Sequence, residues 1–140
     1  ALSLPFDDLL HVKTKSYILD RVKEKLLTPF GLRTLSVDSP SYIRSYSGKQ
    51  PESAYNGIIH PYLLSHYTTA YLKLNHYSKQ ARDDVKYLLL NFEKMIKEDI
   101  IGFFPQYVNS LPPYSPAGLP DHSLTFASYI QIRTKELDSF

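Results

Sequence analysis

The chain has 140 residues, 43% of them hydrophobic and 21% charged, which is the composition of one ordinary folded domain over residues 1–140. Its net charge of +2 comes from 16 basic and 14 acidic residues spread along the sequence, so there is no basic footprint for nucleic acid. Cysteine is absent, which excludes disulfides and thiolate metal sites, and no apolar run approaches the roughly 18 residues of a membrane span.

The expected setting is therefore cytoplasmic, with no nucleic acid and no membrane partner, and the dispersed histidines His11, His66 and His76 suggest no metal site. Phe6-Asp7-Asp8 interrupts the early apolar residues, so no signal-peptide pattern forms. The chain opens at Ala1, which is consistent with processing or with a piece of a longer polypeptide.

Apolar spacing predicts a first helix over residues 13–27, with Tyr17, Ile18, Val22 and Leu26 on one stripe. It runs into residues 26–35, Leu-Leu-Thr-Pro-Phe-Gly-Leu-Arg-Thr-Leu. Pro29 ends the helix, and Gly31 follows two residues later, so a tight turn is expected. Arg33 sits between Leu32 and Leu35, a cation inside an apolar turn.

A second helix is expected over 61–77, with Pro61 at its first position and Leu63, Leu64, Tyr67, Tyr71 and Leu74 at helical spacing. A third runs over 78–97 from a Ser78 N-cap, with Val85, Leu88, Leu89, Phe92, Met95 and Ile96 inward. The short break between these two predicts an antiparallel helical hairpin. A fourth covers 123–137, with Leu124, Ala127, Ile130 and Leu137 inward.

No confident strand emerges. Residues 100–108 have β-like side chains, but Pro105 argues against a central strand. The expected fold class is all-α. Two connections, 28–60 and 99–122, are longer than the roughly 12–15 residues usual for structureless loops. Their tyrosines and phenylalanines predict that they pack.

Three segments carry a family likeness. They are residues 26–35; Tyr55-Asn56-Gly57-Ile58-Ile59-His60-Pro61-Tyr62; and Gly102-Phe103-Phe104-Pro105-Gln106-Tyr107, followed by residues 118–124, Gly-Leu-Pro-Asp-His-Ser-Leu. In this order and spacing, with Ser3-Leu4-Pro5-Phe6 as an entry segment, the chain resembles the C-terminal part of archaeal and bacterial glycogen debranching enzymes of the amylo-α-1,6-glucosidase type. The likeness runs from Leu2 to about Ile132 and is sharpest over 26–35.

That resemblance implies the last third of an (α/α)6 toroid, with helical hairpins and two long structured loops at the barrel mouth. It also implies inverting hydrolysis of α-1,6 branch points of glycogen without a cofactor. The implied partners are an α-glucan, such as glycogen or a limit dextrin, and the remainder of the chain's own barrel or a second copy.

The departures from the family pattern matter equally. The family reads His-Gln/Asn-Gly-Thr-Val-Trp-Pro-Trp where this chain has residues 55–62, so both tryptophans are gone. A sugar can stack on Tyr62 as on an indole, with less area. Where the family places its expected general base, a glutamate, this chain has Gln106, and no carboxylate lies between Ile101 and Pro120. An amide can hydrogen-bond a water but cannot take its proton. An inverting glycosidase needs two carboxyl groups, and by the resemblance the general acid belongs upstream of this region.

The implied glucan-binding residues are Tyr55, Asn56, His60, Tyr62, Tyr107 and Arg33, with Gln106 at the degenerate base position. Bland readings stand beside these. Arg33 is either a structural cation on backbone carbonyls or Asp38, or a sugar contact. His60 is either a helix-entry packing residue or a sugar contact. Gln106 is an inert amide, a residual sugar or water contact, or a catalytic partner. Asp121 is an N-cap or a replacement base, and Tyr67 and Tyr71 line the core or the barrel. The alternative to a piece of a glucosidase is a non-catalytic carbohydrate-binding or helical protein-interaction domain derived from that family.

Overall fold

The computed structural model describes residues 2–3, 9–98 and 102–137. Of the entry segment at residues 3–6, only Ser3 falls inside them; its hydroxyl meets His66 Nδ1 at 3.2 Å. The expected helices form with shifted ends: α1 Val12–Lys25, α2 Leu63–Leu74, α3 Lys79–Glu98 and α4 Ser123–Ile130. The last continues as a π-helical stretch, Gln131–Leu137. Ser78 caps α3, its hydroxyl accepting from the Ala81 N–H at 3.3 Å.

The end of α2 is closed by two backbone bonds, His76 N–H to Lys73 C=O and Tyr77 N–H to Leu72 C=O. This is a Schellman closure. His76 and Tyr77 take the positive φ it needs, at 51° and 52°, without a glycine.

The expectation of an all-α chain, and with it a partial (α/α)6 toroid, is overturned. Five short strands form one antiparallel sheet in chain order: β1 Leu27–Thr28, β2 Gly31–Arg33, β3 Ile59–His60, β4 Tyr107–Val108 and β5 Pro116–Ala117. The molecule is helix-rich but mixed. Each strand is only two or three residues long, too short to print a period-two alternation on the sequence. Pro105 lies just outside β4 and removes no ladder donor, so β4 sits centrally between β3 and β5. Pro116 is on the edge strand, where proline is tolerated.

The turn at 26–35 is a β-hairpin with Pro29-Phe30 at its tip, pairing Thr28 with Gly31. Thr28 Oγ1 donates to the Gly31 carbonyl at 2.8 Å and accepts from the Phe30 N–H at 3.2 Å. Gly31 has φ +143°, and a Cβ there would lie 2.8 Å from Pro61 Cα. Only glycine lets the hairpin press against the start of the second motif.

The core runs in connected clusters. Leu64 and Leu72 of α2 pack with Ala81, Val85 and Leu89 of α3 and with Ile132 and Leu137. Phe92, Met95 and Ile96, late in α3, pack under the sheet against Ile59 and Val108. Buried Glu136 ties the last segment to α2 and its turn, accepting from Thr69 Oγ1 at 2.8 Å and Tyr77 Oη at 3.0 Å.

Two predicted stripes are rotated from their true faces. In α1 the buried positions are Lys15 and Leu19; Val22 and Leu26 of the expected stripe pack beside Leu19, while Tyr17 and Ile18 are exposed. In α4 they are Thr125 and Ser128, while Leu124, Ala127 and Ile130 face outward. In both helices tertiary contacts pick a face that apolar spacing alone does not mark.

Candidate functional site

The two long connections are bound to each other through the sheet. Antiparallel partners share a face, so Leu32, His60, Tyr107 and Ala117 lie on one side, and Arg33, Ile59, Val108 and Pro116 on the other. Two residues of β4 thus serve both purposes: Val108 is fully buried in the core, and Tyr107 turns toward the loop residues.

On the Tyr107 side an aromatic row forms. Tyr46 lies 5.0 Å from Tyr107 between ring centroids, Tyr107 lies 4.8 Å from His60, and His60 lies 5.6 Å from Tyr62. Burial raises the Tyr107 phenol above its ordinary pKa, and Tyr55, Tyr46 and Tyr62 nearby add to the shift. Tyr55 is 66% exposed at the edge of this group. The structure therefore gathers Tyr55, His60, Tyr62 and Tyr107, and adds Tyr46.

His60 is buried, and its Nε2–H donates to the Ala54 carbonyl at 2.8 Å. That bond places the proton on Nε2 and leaves Nδ1 as an acceptor. Nδ1 is buried with no partner among the described residues. Desolvation is the main cause holding the imidazole below its ordinary pKa; nearby His122 lowers it further, and the bond to Ala54 opposes both. An unmet buried acceptor costs about 1–3 kcal/mol, which a hydroxyl or a water relieves.

Gln106, next to Tyr107, is tied to Leu119 just beyond β5. Its backbone N–H donates to the Leu119 carbonyl at 3.0 Å, and its Oε1 accepts from the Leu119 N–H at 3.1 Å. Oε1 must be the accepting atom because a backbone N–H can only donate. The side-chain NH2 donates to none of the described residues. Gly118 makes this closure possible: with φ +74°, a Cβ there would sit 2.7 Å from both Gln106 Oε1 and Tyr107 Cδ2.

Asn56 stands beside Tyr55 in the loop. Its N–H donates to the Glu52 carbonyl at 2.9 Å and its carbonyl accepts from Ile43, while its side chain is half-buried. Asp121 does not cap α4; its Oδ1 accepts from the Phe104 N–H at 3.4 Å, and the cap position belongs to His122.

Arg33 lies on the opposite face and does not join the aromatic row. Its Nε and Nη2 donate to the Ser110 carbonyl at 3.3 and 3.0 Å. Ser110 is fully buried; its N–H and hydroxyl donate to the Arg44 carbonyl at 3.0 and 3.1 Å, and its hydroxyl also meets Tyr42 Oη. Asn109 Oδ1 accepts from the Tyr46 N–H at 2.9 Å. Asp38 pairs with Lys25 at 2.8 Å instead of with Arg33.

Sequence reasoning missed Tyr46, Ser110 and Asn109. Each bridges residues more than 60 positions apart, so no local pattern marks them; the aromatic richness of the first loop was the only signal for Tyr46.

Among the described residues, no group of three or more His, Asp or Glu is placed to hold a metal, and no helix is long and apolar enough to cross a membrane. No curated protein sequence matches this chain. The family model described as Amylo-alpha-1,6-glucosidase matches residues 1–130, which contain the hairpin, the aromatic row and Gln106, and the chain belongs to that family.

Proposed function

We propose that this chain supplies α-glucan-binding loops to a debranching-type glucosidase acting on α-1,6 branch points by inversion. The observation that carries the reading is the aromatic row Tyr46–Tyr107–His60–Tyr62 with half-exposed polar neighbours, in a chain of this family. Tyr55 and Tyr62 offer ring faces for sugar stacking. Asn56 and the Gln106 NH2 offer hydrogen bonds to hydroxyls, and buried His60 holds Tyr107 and Tyr62 in the row from beneath. Arg33 serves this site from behind, by fixing the Ser110 corner.

A second reading, a non-catalytic glucan-binding descendant, is favoured by Gln106 itself. An amide whose carbonyl is already engaged by Leu119 cannot act as a general base. Glucose release from a branched limit dextrin by the natural full-length polypeptide separates the two. Release that persists in Gln106→Ala supports the glucosidase with its base elsewhere. No release at any pH, with retained dextrin binding, supports the descendant. Absence of dextrin binding in the intact polypeptide sinks both.

A further inference from the structure

A second concave site lies away from the aromatic row and shares no residue with it. It is a cleft of about 440 Å³ between α1, α2, α3 and the 26–35 hairpin, within the size range of small-ligand pockets. Tyr67 and Tyr71, one turn apart on α2, stack at 6.1 Å with planes 14° apart. From α3, Asp84, Tyr87 and Asn91 recur at helical spacing along the same cleft, and Lys23 of α1 closes one side.

The polar groups here are positioned before any ligand arrives. Tyr71 Oη donates to Asp84 Oδ2 at 2.6 Å, and Gln80 Nε2 donates to Oδ1 at 2.8 Å. These bonds hold the Asp84 carboxyl below its ordinary pKa, so it is a fixed acceptor at neutral pH. Tyr67 is only 6% exposed, yet its hydroxyl has no hydrogen-bond partner among the described residues. Tyr67 lines the cleft, so its hydroxyl is an available donor and acceptor there. Tyr87, by contrast, is 74% exposed, a large ring left at the cleft mouth.

We infer that this cleft is a second saccharide site, in which a neutral sugar unit stacks on Tyr87 and hydrogen-bonds Tyr67, Asp84 and Asn91. Aromatic faces with a carboxylate would also suit a cation. Lys23 argues against that, because it lines the same cleft and its positive charge also acts on Asp84. A neutral polyhydroxylated ring uses every group: apolar C–H faces for the rings, hydroxyls for the carboxylate, amide and ammonium. The preference for a sugar rests on these residues alone; its identification as an α-glucan rests on the reading of the loop site.

Amide and side-chain NMR of the 140-residue chain during a maltotriose titration tests this. The expected result is a saturable shift of Tyr67, Asp84, Tyr87 and Asn91 signals, with its own midpoint, separate from any response of Tyr55, Tyr62 and Tyr107. Asp84→Asn and Tyr87→Ala should each weaken the cleft response about tenfold and leave the loop response unchanged. Tyr87 is exposed, so its variant folds even if Asp84→Asn does not. If cleft signals stay fixed at millimolar maltotriose, or if they respond to tetramethylammonium in place of the sugar, the inference is overturned. A cleft response without a loop response would instead sustain it while removing the loop reading.

Discussion

The α2–α3 hairpin and the five-stranded sheet both rest on apolar burial but differ in what fixes their geometry. The hairpin is held by apolar burial between residues near in sequence: Leu64, Leu72, Val85 and Leu89 are all nearly inaccessible. The sheet has two or three residues per strand, too few to hold itself. Ile59 and Val108 seat it on Phe92, Met95 and Ile96, and Arg33, Tyr42 and Tyr46 pin it further by reaching Ser110 and Asn109 across 63 to 77 positions of sequence. Burial tolerates approximate shapes, whereas such hydrogen bonds fix positions. Arg33 lies on one face and the aromatic row on the other, with Tyr46 shared between the row and the bond to Asn109, so in the proposed function the sheet is the backing of the glucan-binding surface.

The sharpest way to break the sheet alone is Gly31→Val. The positive φ and the 2.8 Å approach to Pro61 Cα leave no room, and a loss of about 4 kcal/mol or more is expected in chemical denaturation. The matching change in the hairpin is Leu72→Ala, at a fully buried site. It should cost roughly 2–5 kcal/mol while hydrogen exchange in β2–β4 keeps its order relative to the helices.

Arg33→Ala removes two donors to one buried carbonyl and should cost about 1–3 kcal/mol. If its effect on exchange is spread evenly through α2 and α3, and not concentrated at Ser110 and β4, the distinction between the two regions fails.

A smaller effect concerns acid. Burial holds His60 below its ordinary pKa, so the unfolded chain takes up the proton first. The contribution of His60 to stability is complete above the unfolded pKa of about 6.5 and is lost as pH falls toward the folded value. His60→Phe should flatten this part of the stability–pH curve; an unchanged slope would assign the acid sensitivity to other groups.

The same contrast explains what was legible in the sequence. The helices announce themselves because Val85, Leu89, Phe92 and Ile96 repeat at a period longer than any single contact. Ser78 marks the start of α3 by local chemistry, whereas Pro29, expected to end the first helix, sits at the tip of the hairpin beyond an α1 that already stops at Lys25. The strands do not announce themselves, since Ile59–His60 and Tyr107–Val108 show no period at that length and pair only because distant segments meet. The aromatic site was half-visible: Tyr55, His60, Tyr62 and Tyr107 stand in two recognisable motifs, but Tyr46 and the Ser110 corner exist only in three dimensions. Arg33 shows the limit of motif reading. It lies in the most specific stretch of the chain, and its side chain goes to a carbonyl on the face away from the row.

The role of the aromatic row is tested most directly by calorimetric titration of the chain with a branched α-glucan oligosaccharide, comparing the native sequence with Tyr62→Ala. Tyr62 is half-exposed and caps the row, so its loss should leave the fold intact and weaken binding about tenfold, near 1.4 kcal/mol. Equal affinity in the two proteins, or no heat of binding in the native one, would contradict glucan binding at this surface.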